Sequence, residues 1–275
     1  MVVVFLGLLL VDGWMDGSLS RDLPDKPTQA TLFTLLLVAL AVPAQRELGI
    51  LVRQTGAELL HPVTLPVTVL LATLPYWTQF SLSLYALQIF LLAIPFTLLA
   101  LFWAQAIRFG TNGTVRNVSA SFFSIVYLGV FSMFLVWIRV FWGVWVVLLF
   151  VSTIKCSDIG AYAFGRLFGR HTLCPGISPG KTWEGLGGAA AVAAVVSFGF
   201  SFFSGIMTPL QAVVFGAVFG VLGQAGDLVE SMIKRDAAMK DSGAIIPGFG
   251  GILDVIDSPL ATAPAAFVVF WFVLA

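Results

Sequence analysis

Charged residues along the 275-residue chain fall into clusters, and the runs between them are long and apolar. A lone charge at the centre of a bilayer costs about 2.5 to 3.5 kcal/mol on insertion scales, so charge-free runs predict membrane spans. Residues 27–45 predict one helix, and the run 59–107 is long enough for two, broken near Gln79 to Ser83. Residues 117–138 predict another, and 140–154 continue into a further helix that carries Asp158 at its end. The run 185–226 holds two more, split at Ser204 to Pro209, and 258–275 holds the last. That makes eight spans, or nine if the N-terminus crosses. The opening MVVVFLGLLLV lacks the basic start and small-residue cleavage site of a signal peptide. At about 1.5 Å per residue it falls short of a core roughly 30 Å thick, so it is expected to be the remnant of a span or an interfacial segment. The expected fold is all-α, a polytopic integral membrane protein with eight or nine transmembrane helices. It forms one continuous membrane domain, with N-terminal helices over 1–150 and C-terminal helices with cytoplasm-facing polar segments over 151–275.

Composition agrees with this pattern: 59% of residues are hydrophobic and only 10% charged, with 25 Phe and 8 Trp. The 14 basic and 14 acidic side chains cancel, so no global field draws the chain to nucleic acid. Local charge is more informative. On alternate sides of the predicted spans, one side collects Arg46, Arg53, Arg108, Arg116, Lys155, Arg166, Arg170, Lys181, Lys234, Arg235 and Lys240, and the other only Arg21, Lys26 and Arg139. Short cytoplasmic loops are enriched in Lys and Arg, so the polar segments 155–185 and 230–257 are expected at the cytoplasmic face. Cys156 and Cys174 are too few for a disulfide framework or a four-cysteine zinc site and read as free thiols.

Three pieces could carry chemistry. The stretch SMIKRDAAMKDSGAIIPGFGGILDVIDS, residues 231–258, sets Lys234, Arg235 and Lys240 beside Asp241, Asp254 and Asp257, with Asp227 and Glu230 just before it and Gly243, Gly248, Gly250 and Gly251 within it. Carboxylates are hard ligands for Mg²⁺, which commonly bridges one or two of them to substrate phosphates, and glycines let backbone amides approach phosphate oxygens. The alternative is a solvated loop whose charges pair with one another. Acids at helix ends near the membrane favour the metal reading. The second piece, PGISPGKTWEG at 175–185, resembles a Walker A loop but has three residues rather than four between Gly176 and Gly180 and no preceding strand. Ser178 as N-cap and Pro179 at the first helical position predict a helix start that, with Lys181, forms an anion site, or else a plain capped start with Lys181 reaching to headgroups. The third, KCSDIGAYAFGRLFGR at 155–170, offers Asp158 as a further carboxylate or a helix-end charge. His171 has no partner discernible in sequence, and His61 precedes Pro62 in a predicted loop.

Together these pieces resemble the CDP-diacylglycerol synthases, or phosphatidate cytidylyltransferases. The resemblance runs through Ser231, Lys234, Arg235, Lys240, Asp241, Gly243, Pro247, Gly248, Gly250, Gly251, Asp254 and Asp257, and through SPGKTWEG and DIGAYAFGRLFGR, in the family's order. It covers residues 155–260; over 1–150 it amounts to hydropathy alone. Phe249 and Val255 depart from the signature, which carries His and Arg there. The resemblance implies attack of the phosphatidate phosphate on the α-phosphorus of CTP, giving CDP-diacylglycerol and pyrophosphate; the alternatives are a CTP-dependent polyprenol or phytol kinase, similar in membrane layout and C-terminal acids, and a non-catalytic lipid-binding or transport derivative of the same scaffold, which the two departures allow. It implies that Asp227, Asp254 and Asp257 hold Mg²⁺, with room for a second cation, and act with Lys234 and Arg235 in catalysis. Ser178, Lys181, Lys240, Asp241, Gly250, Gly251 and Asp158 would bind substrate. It leaves monomer and homodimer both open.

Overall fold

A computed structural model describes residues 2–19, 28–82, 85–239 and 251–274. Within them the chain forms helices α1 (Val2–Asp16), α2 (Thr31–Gln54), α3 (His61–Trp77), α4 (Ala86–Phe109), α5 (Thr114–Ile125), α6 (Phe131–Phe168), α7 (Trp183–Ser204), α8 (Pro209–Asp236) and α9 (Ile252–Leu274). The predicted breaks fall where local chemistry demands them. A π-turn, Thr78–Leu82, with non-helical Phe80 separates α3 from α4. Gly205, at φ 68°, ends α7 in the left-handed region that glycine adopts without a Cβ clash. Thr208 and Gln211 then form a capping box, with Pro209 at the first position of α8.

Six helical stretches among the described residues are long and apolar enough to cross a membrane. The expected eight or nine differ from this figure for a physical reason. α1 and α3 are short, at 15 and 17 residues, and Thr114–Phe168 runs as one 55-residue stretch. A second π-turn, Val126–Val130, joins α5 to α6 there, and α6 is itself two helices that meet at a kink, where Gly143 takes the non-helical φ 80° and ψ −176° close to the predicted break.

The protein is all-α as expected, apart from one small ribbon between two helices. β1 (Thr172–Cys174) and β2 (Ser178–Thr182) pair antiparallel in a small ribbon between α6 and α7. This overturns the helix start at Ser178 and Pro179. Those residues are extended, and α7 opens five residues later with Thr182 as N-cap, its hydroxyl accepting from Gly185 N at 3.0 Å. Pro179 sits on the edge of a two-stranded ribbon, where its missing N–H is tolerated. Asp158 is also displaced from expectation: α6 continues to Phe168, so it lies inside that helix rather than at its end. His61 opens α3 instead of lying in a loop. His171 has a partner after all, Nδ1 standing 2.6 Å from Glu184 Oε1.

Close approach of α6, α7 and α8 depends on small residues. A Cβ on Gly160 would lie 2.7 Å from Gly188 O, and one on Gly220 would lie 2.7 Å from Ala189 O. At the other side of the core, Arg139 of α6 is fully buried. It donates to Asp12 Oδ2 at 2.9 Å and to Ser18 Oγ at 3.1 Å, and pairs with Asp16, while Asp12 and Asp16 also accept from Phe33 N and Ala30 N. The opening apolar stretch is thus the start of a helix clasped into the fold by charge pairing. Both cysteines are free thiols.

Candidate active site

Helical spacing puts Asp227, Glu230 and Lys234 on one face of α8, at i, i+3 and i+7, and Asp254 and Asp257 on one face of α9. The two helices pack together and bring these faces into register. Asp227, Glu230 and Asp257 each offer a carboxylate oxygen within 4.8 Å of the others. Glu230 and Asp257 are 0% and 2% exposed, and Glu230 Oε1 meets no donor among the described residues, while the Glu230 carboxyl stands against that of Asp254. Lys234 bridges the helices, its Nζ 3.0 Å from Glu230 Oε2 and 2.6 Å from Asp254 Oδ1.

Asp254 does more than pair. At the third position of α9, its Oδ2 accepts from Gly251 N at 2.7 Å, half of a capping box. The next two amides of the helix start are taken by a residue from far away in sequence. Glu47 of α2, 2% exposed, accepts from Ile252 N at 2.9 Å and Leu253 N at 2.8 Å. A carboxylate at a helix N-terminus is favoured by the dipole as well as by these bonds.

The β-ribbon supplies the other wall. Lys181 Nζ meets Asp227 Oδ2 at 2.6 Å and donates to Gln224 O at 2.9 Å. Gln224 Nε2 in turn donates to Asp158 Oδ1 at 3.0 Å, and Lys155 stands 3.5 Å from Asp158 Oδ2. Arg235 is exposed at the ribbon's edge and donates to Ile177 O at 3.1 Å. Between these elements lies a cavity of about 370 Å³ lined by Asp158, Ser178, Lys181, Gln224, Asp227, Asp254, Asp257 and Ser258, among others.

Of the residues predicted from sequence, Asp158, Ser178, Lys181, Asp227, Asp254 and Asp257 therefore share one cavity. Lys234 bonds to one of its wall residues, and Gly251 forms the helix start beside it. Arg235 faces the ribbon at the rim. Lys240, Asp241, Gly250 and Phe249 lie outside the described residues. Val255 lines a different, apolar cavity. Sequence reasoning noticed Glu230 only as a charge at the end of a run, and missed Gln224 and Glu47 altogether. The i, i+3 spacing from Asp227 was a legible signal for Glu230, whereas nothing local marks Glu47, because its partners lie 205 and 206 residues away.

The donor set fits a divalent cation. Five carboxylates (Asp158, Asp227, Glu230, Asp254, Asp257) face three ammonium groups (Lys155, Lys181, Lys234), leaving an excess of two negative charges when all are ionised. A buried carboxylate oxygen without a donor is costly unless a cation or proton meets it. Hard oxygens in this arrangement suit Mg²⁺ rather than softer metals.

Fold and site together define a helical membrane protein with a charged, carboxylate-rich cavity framed by its long apolar helices. The profile of the Cytidylyltransferase family matches residues 27–273, and the chain belongs to that family. It is similar to an uncharacterized protein of Escherichia coli K12, YnbB, at 36% identity over 191 residues, covering 66% of this chain and 63% of that protein. It is also similar to the phosphatidate cytidylyltransferases of Mycobacterium tuberculosis H37Rv, at 38% over 158 residues (56% of this chain, 48% of the relative), and of Haemophilus influenzae Rd, at 39% over 137 residues (48% of each). The chain thus spans between 48% and 63% of the length of these relatives.

Proposed function

We propose that this protein transfers the cytidylyl group of CTP to phosphatidate, forming CDP-diacylglycerol and releasing pyrophosphate. The observation that carries the reading is the oxygen cluster of Asp227, Glu230 and Asp257 beside Lys181 and Lys234, in a chain of the cytidylyltransferase family whose relatives include phosphatidate cytidylyltransferases. The lipid phosphate is already an anion near neutral pH, so the reaction needs little base catalysis. It needs two anions held in line and the charge on the departing pyrophosphate neutralised.

Asp227, Glu230 and Asp257 would hold Mg²⁺, with Asp254 beside them and a second cation within the reach of the same acids. When bound, the ion would supply positive charge to offset that of the reacting phosphates. Lys181 is placed to leave Asp227 for a nucleotide phosphate. Lys234 keeps Asp254 and Glu230 at a fixed separation. Ser178, Asp158, Gly251 and Arg235, with Lys240, Asp241 and Gly250, complete the proposed substrate contacts.

The site is proposed to face the cytoplasm, on the basic asymmetry of the loops. Eight crossings, with α1 as a ninth, follow if Thr114–Phe168 counts twice and α3 once. At 1.5 Å per residue that 55-residue stretch would reach about 80 Å, well beyond a core of roughly 30 Å. A homodimer is part of the same proposal. Purified protein given α-labelled CTP, Mg²⁺ and phosphatidate should release pyrophosphate and label the lipid. Release of CDP instead would mean phosphoryl transfer to an alcohol, and no turnover with lipid bound would mean a non-catalytic lipid-binding protein.

A further inference from the structure

The helix that carries two of the cavity's acids has another wall. Asp254, Asp257 and Ser258 face the charged cavity, while Val255, Ile256 and Leu260 line a separate cavity of about 100 Å³ closed by α1, α2 and α6. Phe5 and Leu37 stand opposite, and the polar exceptions in the lining are Ser132 and Lys155. A water molecule needs two to four polar partners, which this lining does not offer, and an unfilled apolar space forgoes dispersion contacts. The matching occupant is hydrocarbon.

Lys155 indicates which hydrocarbon. Its side chain lines the apolar cavity, yet its Nζ lies 3.5 Å from Asp158 Oδ2, a wall residue of the charged cavity. One side chain therefore spans both spaces, with an ammonium at the boundary between polar and apolar lining. That juxtaposition is complementary to a phosphate esterified to a long chain. We propose that the cavity between α1, α2, α6 and α9 receives an acyl chain of the phosphatidate whose phosphate enters the charged cavity, with Lys155 at the junction. The proposal rests on the cytidylyltransferase reading for the identity of the lipid, and on the two cavities alone for the existence of the chain site.

The test uses the full chain in nanodiscs. Phosphatidate with a photoactivatable diazirine on its acyl chain should label peptides containing Leu37 and Val255, and unlabelled phosphatidate should suppress that labelling far better than phosphatidylcholine does. Labelling confined to lipid-facing α4, or equal suppression by both lipids, overturns the proposal, the latter because bulk bilayer lipid would then fill the space. Val255→Phe, which occupies the cavity, should raise KM for long-chain phosphatidate about tenfold while leaving kcat and the KM for a dihexanoyl analogue within about twofold, since each buried methylene is worth roughly fourfold in binding. An equal change for both chain lengths also overturns it. Should Val255→Phe prove unstable in detergent, Leu40→Phe on the opposite wall carries the same expectation. If the parent labels as expected but makes no CDP-diacylglycerol, the proposed function fails and the chain site stands. If it turns over without that labelling, the chain site alone fails.

Discussion

Glu47 offers a sharp test, because its carboxylate works at a place its own helix gives no hint of. Glu47→Gln keeps the shape of the side chain and removes its charge. The amide can accept from only one of Ile252 N and Leu253 N, which now donate at 2.9 and 2.8 Å to the two carboxylate oxygens. A hydrogen bond to a charged group contributes about 1.5 to 3 kcal/mol, and a carboxylate at a helix N-terminus roughly 0.3 to 1 kcal/mol more. Loss of one such bond and of the charge should lower the opening free energy of the first turn of α9 by about 2 to 3 kcal/mol. At 1.36 kcal/mol per tenfold, the amides of Ile252 and Leu253 should exchange roughly 30- to 150-fold faster, with amides of α4 unchanged as an internal control. Because Asp254 sits on that turn and Asp257 on the next, the Mg²⁺ concentration for half-maximal turnover should rise about tenfold or more, while the thermal midpoint moves little. Hydrogen exchange by mass spectrometry and a Mg²⁺ titration measure the two effects. Parent-like exchange at Ile252 and Leu253 together with a parent-like Mg²⁺ profile would refute the idea that Glu47 positions the acids.

Other expectations follow from the same geometry. Asp227→Asn, Glu230→Gln and Asp257→Asn should each reduce Mg²⁺-dependent turnover by about a hundredfold or more, since a divalent ion contributes several kcal/mol of charge stabilisation; near-parent activity in any one removes that residue from the ion site. Lys181→Met frees Asp227 from its 2.6 Å partner and should raise KM for CTP about tenfold with a smaller effect on phosphatidate, so an equal effect on both substrates would contradict its assignment to the nucleotide. Arg139→Met leaves Asp12 and Asp16 buried without their cation and should destabilise the protein by about 3 to 5 kcal/mol; adding Asp12→Asn and Asp16→Asn should restore much of the lost thermal midpoint, and failure to do so would show that packing around Arg139, not charge, is what matters.

Much of this protein was legible in one dimension. Charge-free runs located the helices, and Gly205, Thr208 and Pro209 marked the turn between α7 and α8, because bilayer insertion and helix capping act on contiguous residues. The type and crowding of Asp227, Lys234, Asp254 and Asp257 pointed to phosphate chemistry for the same local reason. What needed three dimensions was every relation between distant segments. Ser178 and Pro179 carry good helix-start chemistry, but pairing of β2 with β1 across the ribbon drew them into a strand. Whether Asp254 joins the oxygen cluster or pairs with Lys234 depends on the crossing of α8 and α9, which Gly226 permits by letting the backbone of Ser258 come close. Glu47, Arg139 and the apolar cavity behind α9 left no trace in local spacing. Each is made by helices far apart in sequence, where periodicity says which face is apolar but not which neighbour that face will meet.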